Sequence, residues 1–401
     1  MSNVLATSSI VAKEALAVLE NMLGFSHNVN RDYEDEFTGN MSRGYAPGQT
    51  INIKRPPRYT YRDGRVAVPQ STTESTIPLT LAQGGSDLSF SSAERTLSVT
   101  KLEDKVYAAM APVLNEIDRR GLEMARFSTF NALNPTYAAA NTQALAISAL
   151  TGINRRLDEM AAPMDRNRTM TLSPGLNADL VTGLTGLFNA QDTIAKQYRS
   201  GRVENALGLA FEMDQNISTH TNGAATATNI NGANQIGSTI TVTAVAAGTL
   251  TRGTRITLPG VFAVNPQSRQ STGVLAQFIV TADVAQGATS IPISPAIVTT
   301  GAFQNVTASP TTGQPYVIFG AASTSYTCSV GYHKDAFTLA CVPLQAVPTG
   351  TGAKSSQESR NGLSVRVTEG YDVTNDNSIM RIDVLYGWAA TYPELACVYA
   401  G

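Results

Sequence analysis

Residues 100–133, TKLEDKVYAAMAPVLNEIDRRGLEMARFSTFNAL, decide the fold, because this is the longest stretch whose apolar spacing fits a helix and nothing else. From Pro112 onward, Val113, Leu114, Ile117, Gly121, Met124, Ala125 and Phe127 fall on one side at 3.6-residue spacing. Asn115, Glu116, Arg119, Glu123 and Arg126 fall on the other, which makes an amphipathic helix with one core-facing stripe. Proline has no amide hydrogen and suits a first helical turn, and Thr100 with Glu103 offers a capping box. The spacing therefore predicts two helices meeting at Pro112, the second about 33 Å long if it runs to Leu133. Such a rod needs a sheet or another helix over its stripe. Leu122, Phe130 and Leu133 lie off that stripe and mark a second contact surface.

The 401 residues allow two or three domains and a sizeable core, and 42% hydrophobic residues is ordinary for a soluble chain. A formal net charge of −2 gives no global basic excess, so any contact with nucleic acid is weak. Cys328, Cys341 and Cys397 lack metal-site spacing and read as free thiols. Lys13, Glu14 and Glu20 interrupt any signal-like apolar run near the N-terminus, which reads as an amphipathic helix, and no segment has the length and apolarity of a membrane span.

Working outward, residues 27–50 are polar and read as an arm or linker. In 48–68 a short alternating strand, Ile51 and Ile53, runs into Pro56 and Pro57 and then into an arginine-rich segment. Asp63-Gly64 and Gly84-Gly85 are hairpin signals, so 48–97 reads as one long β-arm. A two-stranded ribbon is marginal alone in water and needs another surface. Arg55, Arg58, Arg62 and Arg65, interleaved with Tyr59 and Tyr61, are residue types that suit a subunit contact. The same pattern suits single-stranded nucleic acid, and a solvated loop is the plainer reading.

Downstream, 141–160 reads as a helix stopped by Pro163, and 168–187 as a strand leading into a helix capped by Ser173 with Pro174 in its first turn. Between Ile217 and His333 the only formal charges are Arg252, Arg255, Arg269 and Asp283, in a Thr-, Ala- and Gly-rich background. Alternating runs at 238–245, 254–258, 273–283, 289–294 and 315–320 predict a small all-β barrel or sandwich inserted into a host domain. Strands at 336–344, 363–369 and 379–392 read as a half-buried antiparallel set able to cover the rod.

No constellation supports an enzyme. His27, His220 and His333 have no acid, serine or cysteine at a spacing used by a nucleophilic motif. The loop 348–356 lacks the glycines of a phosphate loop, and Asp372 to Ser378 lacks the glycine and terminal glutamate of a calcium loop. No cofactor and no metal site is expected.

Taken in order, QTINIKRP (49–56), LEDKVYAAMAPVLNEIDRRG (102–121), RTMTLSPGLNADL (168–180), YRSGRVENALGLAFEMDQN (198–216), HKDAFTLACVPL (333–344), GLSVRVTEGYD (362–372) and MRIDVLYGWAATYPELACV (380–398) carry a resemblance. Together they resemble the major capsid (coat) proteins of tailed phages with the HK97-like fold, of the podovirus type with an inserted I-domain. The resemblance implies an α+β chain with an N-terminal arm at 1–47, an extended E-loop at 48–97 and a P-domain at 98–140 built on the spine helix. It further implies an A-domain at 141–225, an inserted β I-domain at 226–325 and a return through A- and P-domain strands at 326–401. It implies a virion protein, assembled in the host cytoplasm, that partners itself in hexamers and pentamers, with scaffolding protein and portal. Packaged double-stranded DNA would be touched weakly and without sequence specificity. The alternative is a non-viral β-rich surface or binding protein, suggested by the Thr/Ala/Gly-rich module alone, with a hydrolase a distant third.

Overall fold

The computed structural model describes residues 24–33, 50–67, 69–70, 75–91, 102–184, 205–348, 353–360 and 363–401. The deciding stretch is one helix, α1 (Leu102–Ser128), with Pro112 inside it, and not two helices meeting there. Pro112 is exposed, so its ring costs one main-chain hydrogen bond without disturbing the buried face. Val113, Leu114, Ile117, Gly121 and Ala125 are buried as the periodicity predicts, whereas Met124 and Phe127 are only half-buried. The N-terminal helix read before Gly24, the capping Thr100, Leu187 and residues 349–352 lie outside the described residues.

In chain order the first strands are β1 (Thr50–Arg55), β2 (Ser75–Thr80), β3 (Ala82–Ser91) and β4 (Ala132–Leu133). Helix α2 (Gln143–Glu159), β5 (Arg168–Leu172), helix α3 (Pro174–Leu184), β6 (Asn205–Ala206), β7 (Leu209–Met213) and β8 (Thr219–Thr221) follow. The charge-poor region holds β9 (Gly237–Thr241), β10 (Arg255–Val264), β11 (Ser271–Val280), β12 (Ser290–Ile297) and β13 (Val317–Ile318). The chain closes with β14 (Ser325–His333), β15 (Phe337–Val342), β16 (Lys354–Arg360), β17 (Leu363–Asp372), β18 (Asn377–Ala390) and β19 (Ala396–Ala400). Lys354, Ser355 and Ser356, read above as loop, thus lie in a strand.

Contacts divide the chain into two compact units, the first comprising Met1–Ile53, Thr76–Gly121 and Thr338–Ala389. Its main sheet has the order β15-β18-β17-β16, with β3 also paired to β18. β17 and β18 are antiparallel, Val367 opposite Ile382, as their alternation predicts. β18 covers the rod: Trp388 lies against Gly121, where an added Cβ would stand 2.5 Å from the indole, and its Nε1 donates to the Ile117 carbonyl at 3.1 Å. Gly84-Gly85 is not a turn. Both residues sit inside β3, opposite Val384 and Asp383, and a Cβ on Gly85 would be 2.2 Å from the Ile382 carbonyl oxygen. The glycines admit a close backbone approach, which a sequence cannot distinguish from a tight turn. β1 pairs with β2, and Ile51, Ile53, Leu79 and Leu81 pack with Ala340, Val342 and Ala389. That packing answers the need of the ribbon for a second surface. Asp118, buried within the stripe of α1, accepts from the main-chain amides of Gly24 at 3.0 Å and Ser26 at 3.1 Å and from the Ser26 hydroxyl. Phe25 stacks on Trp388 with ring centroids 5.3 Å apart.

The second unit comprises Lys54–Ser75, Leu122–Phe337 and Ala390–Gly401. Its sheet runs β4-β19-β14-β5-β7-β6, with β8 paired to β14. Leu150, Ile153 and Leu157 of α2 and Leu176, Leu180 and Leu184 of α3 share one core with Met170 and Leu172. Ser173 caps α3, its Oγ accepting from the Leu176 amide at 3.2 Å. The strands that flank the charge-poor region, β8 and β14, pair antiparallel, Thr221 opposite Ser325. The strands inside that region form a five-stranded sheet of order β13-β10-β11-β12-β9 around Ile240, Ile256, Phe278, Ile291 and Tyr316. Among the described residues this order is an open path, and the closed barrel expected from the alternation is not found.

Candidate functional site

The arginine-rich segment divides into two halves. Arg55, at the end of β1, donates through Nε to the Thr391 carbonyl at 2.8 Å, and its Nη2 reaches Glu394 at 3.4 Å. Its guanidinium stands over the Tyr392 ring, 5.2 Å from the centroid. Arg58 meets the other Glu394 oxygen at 3.1 Å and lies over Phe303 at 5.8 Å. One carboxylate thus holds two guanidinium groups, one on each of its oxygens. Burial pushes the Tyr392 hydroxyl above its ordinary pKa, against the pull of Arg55.

Beyond Pro57 the segment turns outward. Residues 59–67 are exposed and carry no strand, and the chain bends at 64–66 with Gly64 at φ 87°. The predicted bend is there, but strands do not flank it. Tyr61 is 92% exposed, and Tyr59 is exposed with its carbonyl accepting from Arg269 at 3.4 Å. Arg62 donates to the carbonyls of Gly64 and Val66 in its own loop, and Arg65 is exposed.

Of the three off-stripe residues, Leu122 and Phe130 are buried in the subunit, and Leu133 packs on the core beneath α2. Phe130 lines the same cleft as Arg55 and Arg58, so the structure brings these three together and leaves Tyr61, Arg62 and Arg65 apart from them. Sequence reasoning missed Glu394, which has no periodicity to mark it, and Arg255. Arg255 is wholly buried and donates to the carbonyls of Thr129 and Arg126 at 3.1 Å each and to the Tyr326 hydroxyl at 3.2 Å. Its signal was present, since an isolated charge in a long charge-free stretch is either exposed or structurally committed.

Two of the histidines, His220 and His333, hold structural contacts. His27 is exposed in a single 3-10 turn. His220 is buried edge-on to Tyr326, its pKa pushed down to about 4 by burial and then by Arg255 and Arg126. His333 caps a 3-10 turn through the Asp335 amide and meets Asp165 at 3.0 Å. All three cysteines are free and buried, and burial pushes Cys397 up to about 12, far from a reactive thiolate. Among the described residues no group of three potential metal ligands occurs, and no helix is long and apolar enough to cross a membrane. Asp372 closes an Asx turn, accepting from the Thr374 amide at 2.9 Å and from Asn375 Nδ2 at 2.7 Å.

The family model described as P22 coat protein, gene protein 5, matches residues 98–399. No curated protein sequence matches the chain. Among solved structures, a chain of Mycobacterium phage Che8 is similar with a TM-score of 0.51 at 13% identity, over 94% of this chain and 91% of that one. A chain from the capsid of cyanophage P-SCSP1u gives 0.44 at 10% identity, over 88% and 83%. One from the mature capsid of bacteriophage PhiM1 gives 0.42 at 10%, over 88% and 82%. The mixed helix and sheet content and the Che8 likeness fit the α+β HK97-like fold. The family match does not favour the non-viral reading. The chain belongs to the P22 coat protein family and is a structural, non-enzymatic major capsid protein that forms the shell of a tailed phage.

Proposed function

We propose that this subunit assembles as hexamers and pentamers into an icosahedral shell around double-stranded DNA, and that the outward half of the arginine segment is a contact between subunits. The observation that carries the contact is Tyr61, a large aromatic side chain 92% exposed between arginines, on a subunit whose family forms shells of identical copies. Tyrosine and arginine are enriched where interfaces bury surface, and an aromatic ring held in water gains by burial. We assign the contact to Tyr59, Tyr61, Arg62 and Arg65. Arg55 and Arg58 already hold partners within the subunit, and Leu122, Phe130 and Leu133 pack inside it.

On this reading 1–47 is the N-terminal arm, 48–97 the E-loop, 98–140 the spine-helix domain and 141–225 the A-domain. Residues 226–325 form the inserted I-domain, and 326–401 return to the A- and P-domain strands. Assembly takes place in the host cytoplasm with a scaffolding protein and a portal as partners. The net charge of −2 suits a shell that touches its DNA weakly and without sequence preference. Electron microscopy of the chain co-expressed with its scaffolding protein tests this. Closed shells with five- and six-subunit units are expected, and a strictly monomeric or dimeric species under all assembly conditions rejects the reading.

A further inference from the structure

Within the second unit a cleft of about 470 Å3 opens among three segments distant in sequence: residues 55–58, the turn at Phe303, and the segment Tyr392 to Glu394. Its size falls in the range of small-molecule sites, roughly 300–1,000 Å3. Aromatic residues and prolines line its walls, among them Phe130, Phe278, Phe303, Pro57 and Pro393. Three amide side chains of the lining are already committed to main chain. Gln277 donates to and accepts from Ala132, Asn305 joins Ala296 and Val298, and Gln304 donates to Val306. What remains is charge. Arg55, Arg58 and Glu394 are the charged groups of the lining, and two guanidinium groups against one carboxylate leave an excess of one positive charge. A guanidinium carries five N–H donors, of which Arg58 gives one to Glu394.

We propose that this cleft binds a small organic monoanion with a planar aromatic body, its anionic head set against Arg58 and Arg55 and its ring stacked among Phe303, Tyr392 and Phe130. A neutral body fills the apolar walls but leaves the excess charge unmatched, and a cation meets that charge directly. The two guanidinium groups already stand over Tyr392 and Phe303, so the geometry that receives a flat ring beside a cation is in place without the ligand. An occupant would join the base of the exposed arginine segment to the charge-poor region.

Isothermal titration of the soluble subunit with naphthalene-2-carboxylate, and with the neutral naphthalene-2-methanol, tests the assignment. Saturable binding of one carboxylate per subunit is expected, with the alcohol about tenfold weaker or worse. Arg58→Ala and Phe303→Ala each weaken binding about tenfold, and Arg65→Ala leaves it unchanged. Glu394→Gln, which removes the competing charge at constant shape, tightens binding several-fold, a gain that damaged folding cannot mimic. No saturable binding, equal affinity for the alcohol, indifference to both Arg58→Ala and Phe303→Ala, or a Glu394→Gln variant no tighter than the parent each overturns the proposal.

Discussion

Arg255 and Arg62 are the same side chain in opposite surroundings. Arg255 is fully buried and spends its donors on two carbonyls near the end of α1 and on the Tyr326 hydroxyl, with no carboxylate among those acceptors. Arg62 is exposed and donates to its own loop. The carbonyls that Arg255 meets belong to Arg126 and Thr129, at the C-terminal end of α1, where main-chain dipoles favour a cation. A buried charge therefore reports what the fold needs, and an exposed one reports what the fold leaves to something else. Where that division is right, the two arginines fail in different assays.

Removing Arg255 has the largest expected effect. Arg255→Ala strands two buried acceptors and a half-buried one and opens a cavity at the start of β10, a cost of about 3–5 kcal/mol. Urea unfolding would show it as a lowered midpoint. The same variant moves His220 upward from about 4, because Arg255 is the second cause, after burial, of its depression. A histidine lowered by folding contributes stability above its unfolded pKa, about 6.5, and loses it as pH falls toward 4. The parent should therefore lose stability between about pH 6.5 and 4, and the variant less steeply. An unchanged His220 titration, followed by nuclear magnetic resonance, breaks the link between the two groups.

Next in size is Asp383, the buried-charge case with counter-ions. It is 1% exposed and meets Arg366 and Arg381 at 2.7 Å each. Burial opposes its ionisation, and the two guanidinium groups outweigh it, so its pKa lies below the ordinary carboxylate value. Its stabilisation is present above the unfolded pKa, about 3.9, and is lost as pH falls through the lowered folded value. Asp383→Asn costs about 2 kcal/mol at neutral pH, less than at Arg255 because the half-exposed Arg381 can turn to water. It also flattens the acid limb of the pH–stability curve below about pH 4. An equally steep limb in Asp383→Asn would place that acid sensitivity elsewhere.

These residues show how far the sequence reaches. Period-3.6 and period-2 patterns placed α1, α2, α3 and the paired β17 and β18, since burial of one face is a local property of spacing. The capping Ser173 was legible from turn chemistry, and the strands of the charge-poor region from their alternation. Pro112 misled because a proline on the exposed face of a long helix costs only one main-chain hydrogen bond, and Gly84-Gly85 because its local meaning, a hairpin turn, is overridden by a strand far along the chain. Gly85 faces Ile382 across nearly 300 residues of sequence, and no local signal encodes that approach. The split within the arginine segment was invisible too, since it depends on Glu394, which folding alone brings to Arg55 and Arg58.

Arg55 tests the boundary between the two kinds of charge. Its side chain is 28% exposed and that of Glu394 16%, so solvent screens part of the attraction. Arg55→Ala should cost about 1 kcal/mol, mostly through its bond to Thr391 and its stacking on Tyr392. A loss as large as that of Arg255→Ala would mean that this half of the segment belongs to the core.

Arg62 and Arg65 mark the small end of the stability scale. Their side chains touch no element outside their own loop among the described contacts, so Arg62→Ala combined with Arg65→Ala should leave the urea midpoint within about 0.5 kcal/mol of the parent. Adding Tyr61→Ala removes an aromatic ring that the isolated subunit holds in water, and should change that midpoint no further. The same triple variant should nevertheless lower the yield of closed particles in an assembly assay followed by light scattering and sedimentation, by tenfold or more in rate if one contact per subunit is lost, on the order of 1.4 kcal/mol. Normal assembly with normal stability would return the segment to a solvated loop. A parallel fall in both would show that Arg62 resembles Arg255 after all.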